Sequence, residues 1–533
     1  MNKLKPFQIK LQIVTALILS TVAFNGHAEA TATYDPASGI VDLPVVEVLN
    51  GASSTFFSAQ LQLASGSELE LISASAGSAA QGQRNVFDGT TGAVHIPSIV
   101  VGVDDFYAKL KIVPGSDPLR FTVDQLVSNN FEGCPSFSVA GPSQGSCVLS
   151  GEITSDITLT NNIQWILSGG VFIGGDNTNH ATLTINPGTH IFGQQGADFL
   201  WIRRGSKIMS EGTPDNPVVM SGPLQQTAGE WGGLVIAGNA PVNGCNEGVA
   251  LCEIPFEAVT SEFLGGNDPT DNSGVIKYTQ ILFAGFAVRP NEELNGLTLN
   301  AVGSGTVIDF VHVHEGLDDG VEMFGGTVQM KHLVLTNNGD DSLDWGLGWT
   351  GKAQYVLVKQ SADDGDRGIE ADNNTSSDLL PRSQPILSNM TLMGAPVSTQ
   401  GALLRRGTGA NIFNSVFTGF PTCLMIDGAP TFVNAGAPGN LSGDLTIQHS
   451  FVDCDTNFAD GEGATFTTAD WFLSQAGNSE ESPLLNGFLP ASGSPLTLGG
   501  TAVNDSFFDV VDYVGAFRDE DDDWTEEWTF DFN

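Results

Sequence analysis

Short apolar runs broken by Gly, Asn and Asp recur along most of this chain, and almost no stretch carries helical spacing. From about Val148 onward the runs read as strands. Ala181-Thr182-Leu183-Thr184-Ile185 is followed by the turn Pro187-Gly188-Thr189, and Gly212-Thr213-Pro214 leads into Pro217-Val218-Val219-Met220. None of these strands can bury its apolar side alone, so successive turns of chain must stack. A register repeats through the middle of the chain: Ile308, Val311 and Val313 are matched 22 residues on by Met330, Leu333 and Leu335, and a further 23 on by Ala353, Val356 and Val358. Weaker copies are read at Tyr278, Ile281, Phe283 and at Leu387, Met390, Leu392. A coil of that length holds three short strands and three turns. Stacked coils of that size predict a parallel β-helix, a three-faced solenoid, over residues 127–500. Leucine-rich repeats share the period, but their Leu and Asn consensus is missing; propeller blades are about twice as long.

Residues 31–126 follow a different pattern, with an internal duplication. Tyr34-Asp35-Pro36-Ala37-Ser38-Gly39-Ile40-Val41-Asp42-Leu43-Pro44 matches Phe87-Asp88-Gly89-Thr90-Thr91-Gly92-Ala93-Val94-His95-Ile96-Pro97. Each copy runs into an alternating strand, Phe57, Ala59, Leu61, Leu63 in one and Phe106, Ala108, Leu110, Ile112 in the other. Period-two alternation buries one face, so two related hairpins are expected to pack into a small β-sandwich-like domain, as a cap, spacer or glycan-binding module. The chain is thus expected to be all-β. After about Gly500, Phe507–Phe517 reads as a final strand and 501–533 as an acidic cap over the last coil.

Charge narrows the partners. The 61 acidic residues outnumber 20 basic ones, for a formal charge of −41. Nucleic acid and anionic membrane surfaces are excluded as expected partners, because both need clustered Lys and Arg. Cations, neutral polysaccharides, or uronate polysaccharides bridged by a divalent metal remain. Lys3, Lys5 and Lys10, the apolar run Leu11–Phe24 and Ala28-Glu29-Ala30 read as a secretory signal peptide over 1–30. The expected destination is the periplasm, cell surface or medium, with no transmembrane segment in the mature chain. Six cysteines in such a compartment fit three disulfides, with Cys134–Cys147, Cys245–Cys252 and Cys423–Cys454 as the local pairs, although spacing alone does not fix the connectivity.

The repeat register also places the candidate chemistry. Asp318-Asp319, Asp340-Asp341 and Asp363-Asp364 each begin five residues after the last core position of a strand, so stacked coils would put them at one corner. Four residues beyond each first Asp stand Glu322, Asp344 and Arg367, and Glu315, Asp366, Glu370 and Asp372 add charge nearby. Stacked coils lie about 4.8 Å apart, where two carboxylates repel by roughly 3 kcal/mol at an effective dielectric near 20. The side chains must splay into water, hold protons or bind a cation. Calcium takes six to eight oxygens, which makes Asp318, Asp319, Glu322, Asp340, Asp341, Asp344, Asp363 and Asp364 the expected Ca²⁺ ligands. Trp345 and Trp349 flank the ladder as candidate platforms for sugar rings, and Trp231 is expected to pack in a turn. His312, His314 and His332 fall just before it, and His312 and His314 alternate with Val311 and Val313, so they should point away from the coil interior.

On repeat length, Gly-rich turns and Asp-Asp corners, residues 148–500 resemble the pectate-lyase-like superfamily of secreted right-handed parallel β-helices. Asp366-Arg367-Gly368-Ile369-Glu370-Ala371-Asp372-Asn373 is similar to a segment of functionally uncharacterised exported bacterial β-helix proteins. The resemblance implies a right-handed coil and two chemistries. In a calcium-dependent polysaccharide lyase, the metal bridges a uronate to stacked Asp residues and a basic residue removes a proton. Arg367 is the candidate base here, with Lys331, Lys352 and Lys359 nearby; the family's Arg-rich motif is not evident. In an inverting glycoside hydrolase, Asp340 and Asp341 of Gly339-Asp340-Asp341 would form the acid–base pair; the companion Gly-His-Gly and Arg-Ile-Lys motifs are absent. Against both stands a secreted or cell-surface calcium-binding protein with an adhesive or matrix role.

Overall fold

A computed structural model describes residues 31–530, apart from 51–52, 65–67, 78–84, 90, 102–103, 129–132, 143–144, 226, 246–248, 250, 257, 290–291 and 376–377. The expected signal peptide lies outside the described residues. No helix among those described is long and apolar enough to cross a membrane. The chain divides into two compact units, one ending at Cys134 and also holding Ala140–Ser146, the other holding Pro135–Val139 and Cys147–Asn533.

The first unit is an eight-stranded sheet closed on itself. Each half of the sequence duplication supplies four strands: Ala32–Asp35, Ile40–Asn50, Ser53–Leu63 and Glu68–Ala76, then Asn85–Asp88, Ala93–Val101, Asp104–Ile112 and Arg120–Ser128. Closure comes from exchange. The first strand of each half pairs in parallel with the second strand of the other, Thr33 beside Val100 and Val48 beside Phe87. The sheet is therefore more intimate than two packed hairpins. Both halves shift register at the matching dipeptides, between Leu43 and Val46 and between Ile96 and Ile99. Pro44 and Pro97 stand inside these irregularities, where a residue without an N–H breaks the ladder least. Phe57, Ala59, Leu61, Ala108 and Leu110 line the interior as their alternation requires.

The second unit is a right-handed parallel β-helix with three columns of stacked strands. Long strands bend in the middle and serve two columns at once; Gly274–Leu282, Val307–His314, Gln329–Thr336, Lys352–Lys359 and Ile386–Met393 stack in this way. The register is the one the sequence indicates: Ile308 lies on Met330 and Met330 on Ala353, Val313 on Leu335 and Leu335 on Val358, with Leu387 and Leu392 continuing both rows. The copy at Tyr278, Ile281, Phe283 is two residues out; Ile276, Thr279 and Ile281 are the residues beneath Ile308, Val311 and Val313. Tyr278 stands at the bend instead, with φ 46°, and Phe310, His332 and Tyr355 take the same left-handed conformation one coil after another. That conformation disfavours bulky residues. Here it turns their rings outward into one stack, with centroids 4.5, 4.2 and 4.8 Å apart. The third column runs through Phe199–Ile202, Gly233–Ala237, Leu297–Asn300, Val321–Phe324, Leu343–Gly346, Ile369–Ala371, Gln400–Leu404, Thr422–Ile426 and Thr456–Asp460.

All six cysteines are in disulfides. Cys245–Cys252 pins a loop and Cys423–Cys454 joins neighbouring coils. The C-terminal segment is neither the expected strand nor a lid on the last coil. From Gly499 it lies along the bend column as a strap without regular structure, doubling back once: Asp505 and Asp509 reach Lys352 and Lys331, Gly515 returns to Asn414, and Trp528 then reaches Gln280. Outward amide side chains meet its backbone. Asn414 bonds both N and O of Thr501, Asn389 donates to the carbonyls of Tyr513 and Gly515, Gln354 pairs with Asp509, and Gln280 donates to the carbonyl of Trp528. Lys352–Asp505 and Lys331–Asp509 add ion pairs at 2.6 and 2.8 Å. Trp524 and Trp528 then lie edge-on over the ring stack.

Candidate metal centre

The corner between the second and third columns carries the acidic residues. Glu322, Asp344 and Glu370 follow one another on the outward side of the third-column strands, in strict register, while Val321, Leu343 and Ile369 beside them face the core. Just before those strands, Asp319 Oδ1 accepts from the Asp341 amide at 3.0 Å, and Asp341 Oδ1 accepts from the Arg367 amide at 2.8 Å. Each carboxylate thus receives the next coil's N–H at the same turn, and the Asp366 amide donates to the Asp340 backbone carbonyl beside them.

Three carboxylate oxygens converge within 4.8 Å of one another in four places: Asp318, Asp319 and Asp340; Asp319, Glu322 and Asp344; Asp340, Asp341 and Asp366; Asp341, Asp344 and Glu370. The last two sets repeat the first two, displaced by one coil. The second pair is partly neutralised. Arg367 Nη1 lies 2.6 Å from Asp366, 2.9 Å from Glu370 and 3.4 Å from Asp341. Arg405 binds both Glu370 and Asp372, and Arg406 binds Asp372.

Six of the eight expected ligands therefore converge. Asp363 and Asp364 do not. The core step from Leu343 to Ile369 is 26 residues where the step from Val321 to Leu343 is 22, so the third coil carries extra residues in the turn before its corner. They push Asp363 and Asp364 out into an exposed turn, and Asp366 and Arg367 take the row of Asp340 and Asp341. Arg367 accordingly belongs one row earlier than its counted column, and Glu370 completes the column of Glu322 and Asp344.

Four oxygens at this corner, Asn295 Oδ1, Ser342 Oγ, Asp344 Oδ1 and Gln360 Oε1, are buried without a hydrogen-bond partner among the described residues. Asn295 also holds Glu322 through its Nδ2, at 2.6 Å. Orphaned buried oxygens beside clustered carboxylates are costly. This all-oxygen, highly anionic donor set suits a hard cation of calcium type. Asn295, Ser342 and Gln360 were not legible in the sequence, since neutral turn residues carry no charge pattern. Burial first, and neighbouring carboxylates second, hold Asp319, Asp341 and Asp344 well above the usual carboxylate range. A carboxyl raised in the folded state binds a proton that the unfolded chain does not. Its contribution to stability is full below about pH 4 and is lost as pH rises toward neutrality. In EDTA, the stability gap between Asp344→Asn and the native chain should be widest near pH 8 and narrow on acidification; thermal melts across that range measure it.

The expected sugar platforms are corrected. Trp345 and Trp349 are 0% exposed, packed against each other with centroids 5.7 Å apart. Their indole N–H groups bond Thr408 Oγ1 and Val328 O. Strand alternation explains it: with Asp344 outward, Trp345 must point inward. Trp345→Ala should lose about 3–5 kcal/mol of unfolding free energy in denaturant titrations and leave glycan affinity unchanged. Trp231 is buried, as expected of a packed turn residue.

The catalytic expectations find poor geometry. Burial opposes the charge on Arg367, but Asp341, Glu370 and Asp366 outweigh it and keep the guanidinium protonated, which opposes its use as a base. Oxygens of Asp340 and Asp341 lie within 4.8 Å, nearer than the roughly 6.5–9.5 Å that an inverting hydrolase needs to seat a water.

A family model described as the pectate-lyase-like β-helix domain matches residues 151–485, well over half of the chain. The chain belongs to the pectate-lyase-like β-helix family. No curated protein and no solved structure matches it. Membership fixes the solenoid and accords with a carbohydrate-related role, whereas a fold hosts many activities. Within this pectate-lyase-like solenoid, the acidic corner is where chemistry or binding must be argued from side chains.

Proposed function

We propose that the protein is an exported calcium-binding β-helix that engages carbohydrate or a cell surface through its acidic corner, in an adhesive or matrix role. The observation that carries this reading is the pair of carboxylate triads on the first row, Asp318–Asp319–Asp340 and Asp319–Glu322–Asp344, which share Asp319 and bring three carboxylate oxygens within 4.8 Å of one another in each. Calcium held there would neutralise the ladder and present open coordination positions to sugar hydroxyls or uronate carboxylates. Extracellular calcium modules bind at about 10⁻⁴–10⁻³ M, so calorimetric titration should give binding in that range. Magnesium should compete poorly, because it demands rigid octahedral geometry. Absence of a calcium signal up to about 10 mM, ten times the weak end of that range, overturns the metal site. A polysaccharide panel assayed for unsaturated or reducing ends tests the role; sustained product formation would replace binding by catalysis.

A further inference from the structure

The described part of the strap reaches two buried histidines. His312 and His314 do point away from the coil interior, opposite Val311 and Val313, yet they are only 0% and 6% exposed. Phe530 closes over them, its ring 5.5 Å from His314 and 5.8 Å from Phe283. A backbone N–H can only donate. His312 Nδ1, 3.1 Å from Phe530 N, is therefore an acceptor, and the proton of the neutral ring sits on Nε2. Nε2 then donates to Thr336 Oγ1 at 2.8 Å. Thr336 Oγ1 also bonds His314 Nδ1 at 2.7 Å. The other ring nitrogen of His314, Nε2, lies 3.8 Å from Glu315 Oε1. One amide of the strap thus fixes the tautomer of His312 within a row of groups reaching the first residue of the acidic corner turn.

We propose that this row is an acid-released latch on the C-terminal strap. A proton on His312 Nδ1 turns the acceptor into a second donor facing the Phe530 N–H, and the strap end lifts from the ring stack under Trp524 and Trp528. Among the described residues, the groups around His312 are His314 on its own strand, Thr336 on the following coil, Gln280 on the preceding one and Phe530 on the strap; the Glu315 carboxylate lies beyond His314. Burial first, and His314 second, push the His312 imidazole well below its ordinary value, which keeps the latch closed at neutral pH. Lifting the strap returns the ring to about 6.5. The latch is therefore fully closed above that pH and weakens about tenfold per pH unit below it. This device stands apart from the metal reading and survives its failure.

Hydrogen exchange of the full chain, read by mass spectrometry and corrected for intrinsic rates, tests the latch between pH 7.5 and 5. Amides of 519–530 should lose protection about tenfold per unit below pH 6.5, while strand Val307–His314 keeps its own. His312→Asn keeps an acceptor near Nδ1 but cannot titrate, and should flatten that slope. Phe530→Pro removes the donor without touching the coil; it should loosen the strap at every pH and also abolish the slope. No loss of protection in the native chain overturns the latch. So does an unchanged slope in either variant, which would assign the titration to another group.

Discussion

Replacing Asp344 by asparagine should raise the melting temperature of the metal-free protein, and calcium should cancel that advantage. Asp344 belongs to two carboxylate triads at once, with Asp319 and Glu322 on one side and Asp341 and Glu370 on the other. Its Oδ1 is buried without a donor. Each neighbour at such a distance repels it by about 3 kcal/mol at an effective dielectric near 20. A held proton spares part of that sum, so a net gain of roughly 2–3 kcal/mol in EDTA is expected from the neutral amide. With calcium a hundredfold above its dissociation constant, the native chain gains about 2.7 kcal/mol that the variant forgoes. Native and variant melts therefore stand apart in EDTA and converge in calcium. If Asp344→Asn is destabilised equally in both, the carboxylate is a structural hydrogen-bond acceptor and the metal reading fails.

The solenoid was legible because its core repeats: Ile308, Met330 and Ala353 occupy one position on three coils, and branched apolar residues elsewhere in the sequence keep the same step. Where the reading slipped, it slipped by treating an outward ring or a turn as core. Tyr278 and Phe283 look like buried aromatics, but both have positive φ and sit at bends, facing the strap rather than the interior. The Asp363-Asp364 pair kept the right sequence spacing from the preceding strand, yet turn length is not encoded by the core. Counting from the strand that follows, Val321 to Leu343 to Ile369, would have found Asp366 and Arg367 instead. The same alternation would have turned Trp345 inward. The strap had no signal at all. Its partners, Gln280 and Trp528, are 248 residues apart and belong to no repeat.

Arg367→Met should lose about 3 kcal/mol of stability in EDTA and recover most of it in calcium, with one further ion bound per chain. The guanidinium, 19% exposed, is shared by Asp341, Asp366 and Glu370. Removing it leaves three carboxylates crowded at a corner where Asp341 is almost fully buried, and breaking such a pair typically costs 3–5 kcal/mol. Partial solvent access at Asp366 places this case at the lower end. The triads left behind, Asp340–Asp341–Asp366 and Asp341–Asp344–Glu370, copy the first-row triads one coil on, with Arg405 still held by Glu370. If the first row binds calcium, the uncovered row should do so too, and binding at a hundredfold excess returns about 2.7 kcal/mol. Calorimetric stoichiometry and calcium-dependent melts measure both effects. An unrescued loss would mean that carboxylate proximity alone does not make a cation site on this ladder. Full rescue would identify Arg367 as the internal cation that ends the metal row after a single coil.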